Sequence, residues 1–270
     1  MSNFLKRFSF GKNWAKYSEL VDSVRIAKAQ KHLQVRFSIE RFEGNFIDIG
    51  CGSGVFAAAA TKLNAKVTAF DYDVNSVETS RLVIDKFGNS HNLVSLSQKD
   101  VLSDSLGIDL GDFEYIYSWG VLHHTGEMWK AISKISDEAK AGCVFVMAIY
   151  NDMGKISLHW KKLKRLYVNF PPSRPFIIAY AWYRFWAKQQ LRSFLTGNDP
   201  FKSWREYSID SRGMSAWYDL IDWAGGYPYE YATPDEVVNY MTARGWNCIN
   251  IWRNYGIGCN EFTFQKLDQQ

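Results

Sequence analysis

The sequence predicts an α/β fold: a doubly wound, mostly parallel sheet, preceded by N-terminal helices and carrying a helical lid insert near its end. Three observations predict it. A short apolar strand enters a glycine-rich turn at Phe46-Ile-Asp-Ile-Gly-Cys-Gly-Ser-Gly54 and runs on into the small-residue stretch 55–60. The alternating segment 65–70 reads as a second strand and ends on Asp71, nineteen residues beyond Gly52. From there to Tyr150, strand-length apolar runs alternate with helix-length periodic ones, the pattern of right-handed βαβ units.

The glycine turn and the acid point to a nucleotide-like ligand. Glycines at 50, 52 and 54 let the backbone turn sharply and approach a flat polar molecule that a Cβ would hold off. An acid at position 71 suits a ribose diol. Two cofactors fit. For NAD, Gly52-x-Gly54-x-x-Ala57 satisfies the dinucleotide fingerprint. For S-adenosylmethionine, Asp48 just before the turn can hold the cationic amino group of the methionine moiety, which NAD lacks. The second is favoured.

Phe46 to Tyr150 as a stretch resembles the class I S-adenosylmethionine-dependent methyltransferases. Asp48-Ile-Gly-Cys-Gly-Ser-Gly54 is similar to their first motif, and Asp71, followed by Tyr72, to their ribose-binding acid. Lys99-Asp100-Val101 resembles the adenine-contacting step after the third strand. Phe113-Glu-Tyr-Ile-Tyr-Ser-Trp-Gly-Val-Leu-His-His-Thr125 resembles the fourth motif, where a strand delivers residues to the reactive end of the cofactor. The resemblance implies a seven-stranded Rossmann-like methyltransferase fold whose last strand is antiparallel. It also implies that Asp48, Gly50, Cys51, Gly52, Gly54, Asp71, Tyr72, Asp100, Val101, Ser118 and Trp119 bind S-adenosylmethionine. Asp100 can also serve as a helix N-cap for the short turn after it, and histidines at a strand end are more often structural than catalytic.

Composition sets outer limits. With 270 residues, 47% of them hydrophobic, the chain can bury a core of its own, and one methyltransferase domain spanning 1–270 is expected. Cys51, Cys143, Cys248 and Cys259 form no C-x-x-C pair, which points away from zinc sites and disulfide frameworks and toward a cytoplasmic setting. Residues 1–13 lack the apolar core of a signal peptide, and no uncharged apolar run approaches the roughly 20 residues that span a bilayer.

In chain order, residues 14–41 read as a helical cover over the site, with Tyr17, Leu20, Val21, Val24, Ile26 and Ala27 on the apolar side. The cofactor-binding core follows over 42–150. Its helix 74–87 turns Val77, Leu82, Val83 and Phe87 inward and ends at Gly88. Strands are expected at 93–96, 113–118 and 143–150, with a helix over 128–139. The C-terminal unit, 232–270, opens with Thr233-Pro-Asp-Glu236, a capped helix start with proline in its first turn, and continues with strands at 246–253 and 261–266.

The insert, 151–231, is what a core fold of this kind does not need. Between 155 and 198 it carries nine basic residues and no acid, whereas the whole chain is only +4. Aromatic residues are interleaved, around a break at Pro171-Pro172 that suggests a helix pair. Arg184, Lys188 and Arg192 fall at i, i+4 and i+8, one basic stripe. Such a pair can cover the core as a solvated lid, meet an anionic membrane or lipid-linked acceptor, or bind another anionic small molecule; nucleic acid ranks last, since no RNA-binding motif accompanies the charge. Beyond it, stretch 211–228 is expected to close over the acceptor, through Trp217, Tyr218 and Asp222.

Because a sulfonium already activates the methyl group, the protein must mainly align a nucleophile and remove its proton. His123 and His124, at the end of the fourth strand, are the candidate bases for an oxygen acceptor, His124 slightly preferred. No metal is expected. The chain also resembles the ubiquinone-biosynthesis O-methyltransferases in outline, but Gly120 and His123 stand where these commonly present glutamates, so neither magnesium dependence nor a quinone-precursor substrate is carried over. The leading reading is O-methylation of a small-molecule or lipid- or saccharide-linked acceptor. RNA methylation, a nonenzymatic cofactor-binding module and an NAD oxidoreductase stay behind it.

Overall fold

The computed structural model describes residues 8–207 and 215–268. Seven strands form one sheet: β1 Asn45–Ile49, β2 Lys66–Asp71, β3 Leu93–Gln98, β4 Tyr115–Trp119, β5 Val144–Tyr150, β6 Trp246–Trp252 and β7 Cys259–Lys266. Their spatial order is β3-β2-β1-β4-β5-β7-β6, with β7 antiparallel to both neighbours. From β1 the chain winds outward through β2 and β3, then returns to the middle for β4 and β5. That reversal opens a crevice beyond the carboxyl ends of β1 and β4, where ligands of such sheets bind.

Phe46 through Ile49 are all buried because helices cover both faces of the central strand. On one face, α5 (Met128–Glu138) and the capped helix Pro234–Thr242 pack over Ile47, Ile116 and Phe145. On the other, α2 (Ser23–Phe37), α3 (Val55–Lys62) and α4 (Val74–Phe87) pack over Phe46, Tyr117 and Val146. Thr233 caps its helix as expected, its side chain and that of Glu236 exchanging bonds with each other's backbone.

The N-terminal stretch departs from the expected single helix. It forms α1 (Phe10–Ser18) and α2, separated at Asp22, whose carboxylate accepts the Arg25 N–H at 2.8 Å and starts the second helix afresh. Tyr17, Val21 and Ile26 are buried as expected, but the break resets the helical phase, so Leu20, Val24 and Ala27 face solvent and Ala29, Leu33 and Phe37 continue the buried row from Ile26. On α4, Leu82 is likewise 68% exposed; Ser76, Thr79 and Ser80 take the inner face with Val83 and Ile84. Small side chains are required there because α3 comes very close: a Cβ on Gly54 would sit 2.5 Å from the Ser80 Cα.

The insert contains α6 (Lys155–Asn169) and, after the proline break, α7 (Arg174–Trp182), a π-helical turn at Tyr183–Ala187 and α8 (Lys188–Leu195), followed by the short α9 (Lys202–Arg205). Beyond it lie α10 (Ala216–Gly225) and the capped helix, α11. The wide π turn interrupts the regular stripe expected of Arg184, Lys188 and Arg192. Arg184 and Arg192 are exposed; the Lys188 side chain, like residues 211–214 of the predicted acceptor loop, lies outside what is described. Trp160, Tyr167, Ile177, Ala181, Leu220 and Tyr229 give the insert a core of its own against α10.

Candidate functional site

A cavity of about 770 Å³ opens at the carboxyl ends of β1, β2 and β4. That size lies within the roughly 300–1,000 Å³ of small-molecule sites. Its floor is the glycine turn. The N–H groups of Gly50 and Cys51 both donate to Phe70 O, at 2.8 and 3.1 Å, and that of Gly52 donates to Asp71 Oδ2 at 2.9 Å, so the turn is laced to the end of β2. Gly52 is in the left-handed region at φ +54°, and Trp14 of α1 lies over it, 3.1 Å from where a Cβ would stand. Gly50, Cys51 and Gly52 line the cavity; Gly54 does not, because its closeness to Ser80 serves helix packing.

Asp48, a buried side chain of β1, lines this cavity, and among the described residues its Oδ2 has no hydrogen-bond partner. Burial, and then the neighbouring Asp71, push its carboxyl up to about 8. A buried carboxylate in this condition is incomplete without a cation or donor. Asp71 is better served: besides Gly52 it accepts the Asp73 N–H at 2.9 Å, and these bonds offset part of the upward shift that burial imposes. Tyr72 stands exposed on the rim.

Val101 is buried on the wall beside Asp100, whose Oδ1 accepts the Leu102 N–H at 2.9 Å. Asp100 caps no helix: its carboxylate closes the turn at 100–102, and the residue also stands on the cavity wall. Trp119 also lines the cavity. Ser118 is off the wall, donating to Ile49 O at 3.1 Å and tying β4 to β1. Burial, then the nearby Asp71 and Asp48, hold the Cys51 thiol well above its ordinary range, so it stays protonated.

The structure separates the two histidines. His123 is fully buried behind the wall, its ring 4.0 Å from that of Tyr150 and its Nδ1 accepting the Tyr150 N–H at 3.4 Å. His124 lines the cavity. Its Nδ1 lies 2.6 Å from Pro228 O; a carbonyl can only accept, so Nδ1 carries the proton and Nε2 the lone pair. Burial, and then Lys164, push His124 down to about 3, which keeps the ring neutral at physiological pH.

Other wall residues were not named as site residues in the sequence, although Trp14 and Tyr17 fall in the helical cover expected over 14–41. Phe8 and, from α1, Phe10, Trp14 and Tyr17 lie over the site, with Phe10 4.9 Å from the His124 ring, whereas no residue of α2 lines the cavity. For Phe8 and Phe10, two aromatic residues just before a weak helical pattern were the only available signal. Phe185 and Trp186 reach in from the π turn. Of the predicted acceptor contacts, Asp222 lines the cavity, with Oδ1 accepting Asn13 Nδ2–H at 2.8 Å. Burial, then Asp219, raise its carboxyl far above the carboxylate range. Trp217 is 48% exposed and off the wall, and Tyr218 turns toward Tyr17 in the core. Among the described residues, no three His, Cys, Asp or Glu side chains converge as metal ligands.

A family model described as a methyltransferase domain matches residues 47–145. The ubiquinone biosynthesis O-methyltransferase of Rickettsia prowazekii is 22% identical over 135 residues, covering 47% of this chain and 51% of that protein. Its namesake from Caulobacter vibrioides is 24% identical over 159 residues, covering 58% and 59%. The chain therefore spans about half the length of the curated relatives it matches. Among solved structures, a Haloferax volcanii protein described as a methyltransferase, in complex with a methyltransferase activator, aligns with a TM-score of 0.55 at 12% identity, over 96% of both chains. A Methanococcus maripaludis protein described as an S-adenosyl-L-methionine-dependent methyltransferase aligns at 0.52 and 18% identity, over 100% of this chain and 99% of that one. Magnesium protoporphyrin IX methyltransferase of Synechocystis PCC 6803, with bound SAH, aligns at 0.51 and 12%, over 90% and 83%. At such identities the structural likeness is one of fold. Sheet order and glycine turn agree with the family model: residues 47–145 match a methyltransferase domain, set in a fold shared with solved methyltransferase structures.

Proposed function

We propose that this protein transfers a methyl group from S-adenosylmethionine to an oxygen of a small-molecule acceptor. The observation that carries the reading is Asp48, a buried carboxylate with an unpartnered oxygen beside the glycine turn. An α-ammonium group placed there would satisfy it. A dinucleotide would instead bring pyrophosphate to a turn beside the carboxylates of Asp71 and Asp73, and like charges at that range repel.

In this reading Asp48 holds the ammonium and Asp71 the ribose diol, while Tyr72, Asp100 and Val101 surround the adenine. When bound, the cofactor supplies an activated methyl on a sulfonium. The chain then has three tasks. Phe10, Trp14, Phe185 and Trp186 exclude water. The walls from α1 and the π turn align the acceptor. His124 accepts its proton at Nε2, with Nδ1 anchored on Pro228 O. The relatives named as O-methyltransferases support an oxygen acceptor, and the aromatic lining supports an apolar, lipid-like one.

Titration calorimetry tests the reading directly: S-adenosylmethionine binds with measurable heat and NAD does not. A preference for NAD would overturn it.

A further inference from the structure

We infer that the outer side of the rod formed by α7, the π turn and α8 is a docking surface for an anionic lipid bilayer. The rod is amphipathic in an inverted sense. Ile177, Ala181 and Gln190 are its buried side. Its solvent side carries Phe176 at 76% exposure and Tyr183 before the π turn, and Leu191, Phe194 at 68% and Leu195 at 74% beyond it. Large apolar side chains grouped on an exposed face mark an interaction site.

The charge around this face selects the partner. Arg174, Arg184 and Arg192 are exposed along the rod, Lys155, Lys161, Lys162 and Arg165 along the adjoining α6, and no acid lies between 155 and 198. An ordinary solvated lid mixes both signs. Apolar side chains on a convex helix, flanked by cations of one sign, form the pattern of an interfacial helix that buries its apolar face among acyl chains and its cations among headgroups. A single-stranded RNA would instead need a groove in which bases stack.

The cavity does not account for this charge. Its lining holds six aspartates and one lysine, so the positive field points away from the reaction. The same rod nevertheless supplies Phe185 and Trp186 to the cavity wall. Docking would therefore set the site beside the bilayer, open to an acceptor partitioned in lipid. That last consequence rests on the proposed activity; the docking itself does not.

Flotation of the full chain with vesicles tests the inference, using phosphatidylglycerol mixed with phosphatidylcholine against phosphatidylcholine alone. Binding to the anionic vesicles is expected at low salt, weakening as salt is raised. Phe176→Ser combined with Leu195→Ser, and separately Arg184→Glu combined with Arg192→Glu, should each lower it about tenfold or more. Affinity for S-adenosylmethionine by calorimetry should not change in either pair. Wild-type protein that ignores anionic vesicles at low salt overturns the inference. So does a wild-type dimer, seen by sedimentation, that the serine pair dissolves without any vesicle binding, or RNA binding that the charge reversals abolish while vesicles are ignored. Vesicle binding by a protein with no affinity for S-adenosylmethionine would sink the proposed activity and leave the docking surface standing.

Discussion

The inner and outer sides of the insert carry opposite chemistry within one pair of helices. Outside, arginines and lysines stand in water among uncovered aromatic rings. Inside, Lys164 is fully buried, its ammonium 4.0 Å from the Trp223 ring centre and 4.8 Å from that of Tyr229, and it donates to Trp223 O. Burial pushes it down to about 7, against the attraction of Asp222. Nine basic residues are equal in a charge count; only burial decides which of them act on a partner and which hold the fold.

Charge reversal on the two sides should therefore differ most in stability. Lys164→Glu would place a carboxylate among Asp222, a backbone carbonyl and three aromatic rings, at an expected cost of about 3–5 kcal/mol. Lys162→Glu, on the exposed side, should stay within about 0.5 kcal/mol of wild type. Thermal melts of the two variants check this, and similar losses would erase the distinction.

Next in size is the contrast within the histidine pair. His124→Ala should lower turnover by about 10²-fold with the fold retained. His123→Ala should act mainly on the melting temperature, since its ring lies behind the wall against Tyr150. Full turnover in the His124 variant at neutral pH would remove that ring from the mechanism.

Asp48→Asn should weaken cofactor binding by about 1–3 kcal/mol, because a charge-assisted bond becomes a neutral one. In the ligand-free protein its effect has the opposite sign. The folded-state value, about 8, lies above the ordinary 3.8, so the contribution of Asp48 is complete at low pH and is lost as pH rises through that window. At pH 8 the asparagine variant should melt higher than wild type. For the same reason wild-type affinity should rise between pH 6 and 8 with release of a proton, measurable by calorimetry in buffers of different ionisation heat.

The smallest effect is expected at Trp217→Ala. Because this ring is half-exposed and off the cavity wall, both turnover and stability should change little, within about 0.5 kcal/mol. A large loss of turnover would restore Trp217 to the acceptor site and extend that site onto the outer surface.

Local chemistry was enough to read the half of the molecule built on the glycine turn. Glycines 50 and 52, Asp48 and Asp71 stand within one βαβ unit, where strand direction and turn geometry leave little freedom, and the alternation of elements already implied the sheet. The capped start at Thr233 was legible for the same reason, since a cap is completed within four residues. What closes the site was legible only in outline: a helical cover over 14–41 and a lid insert were expected, but not the contacts they make. Phe10 meets His124, Asn13 meets Asp222, and Phe185 reaches the cavity from a π turn, each across a long stretch of chain. Helical periodicity placed Leu20, Val24 and Leu82 inside, yet phase is set by where a helix starts and by what packs on it. Sequence alone determined the fold class, the glycine turn and the acids around it, because those depend on neighbours along the chain. The tertiary structure alone decided which histidine faces the cavity and which lysine is withdrawn from the surface, because burial is a property of the surroundings and not of the residue.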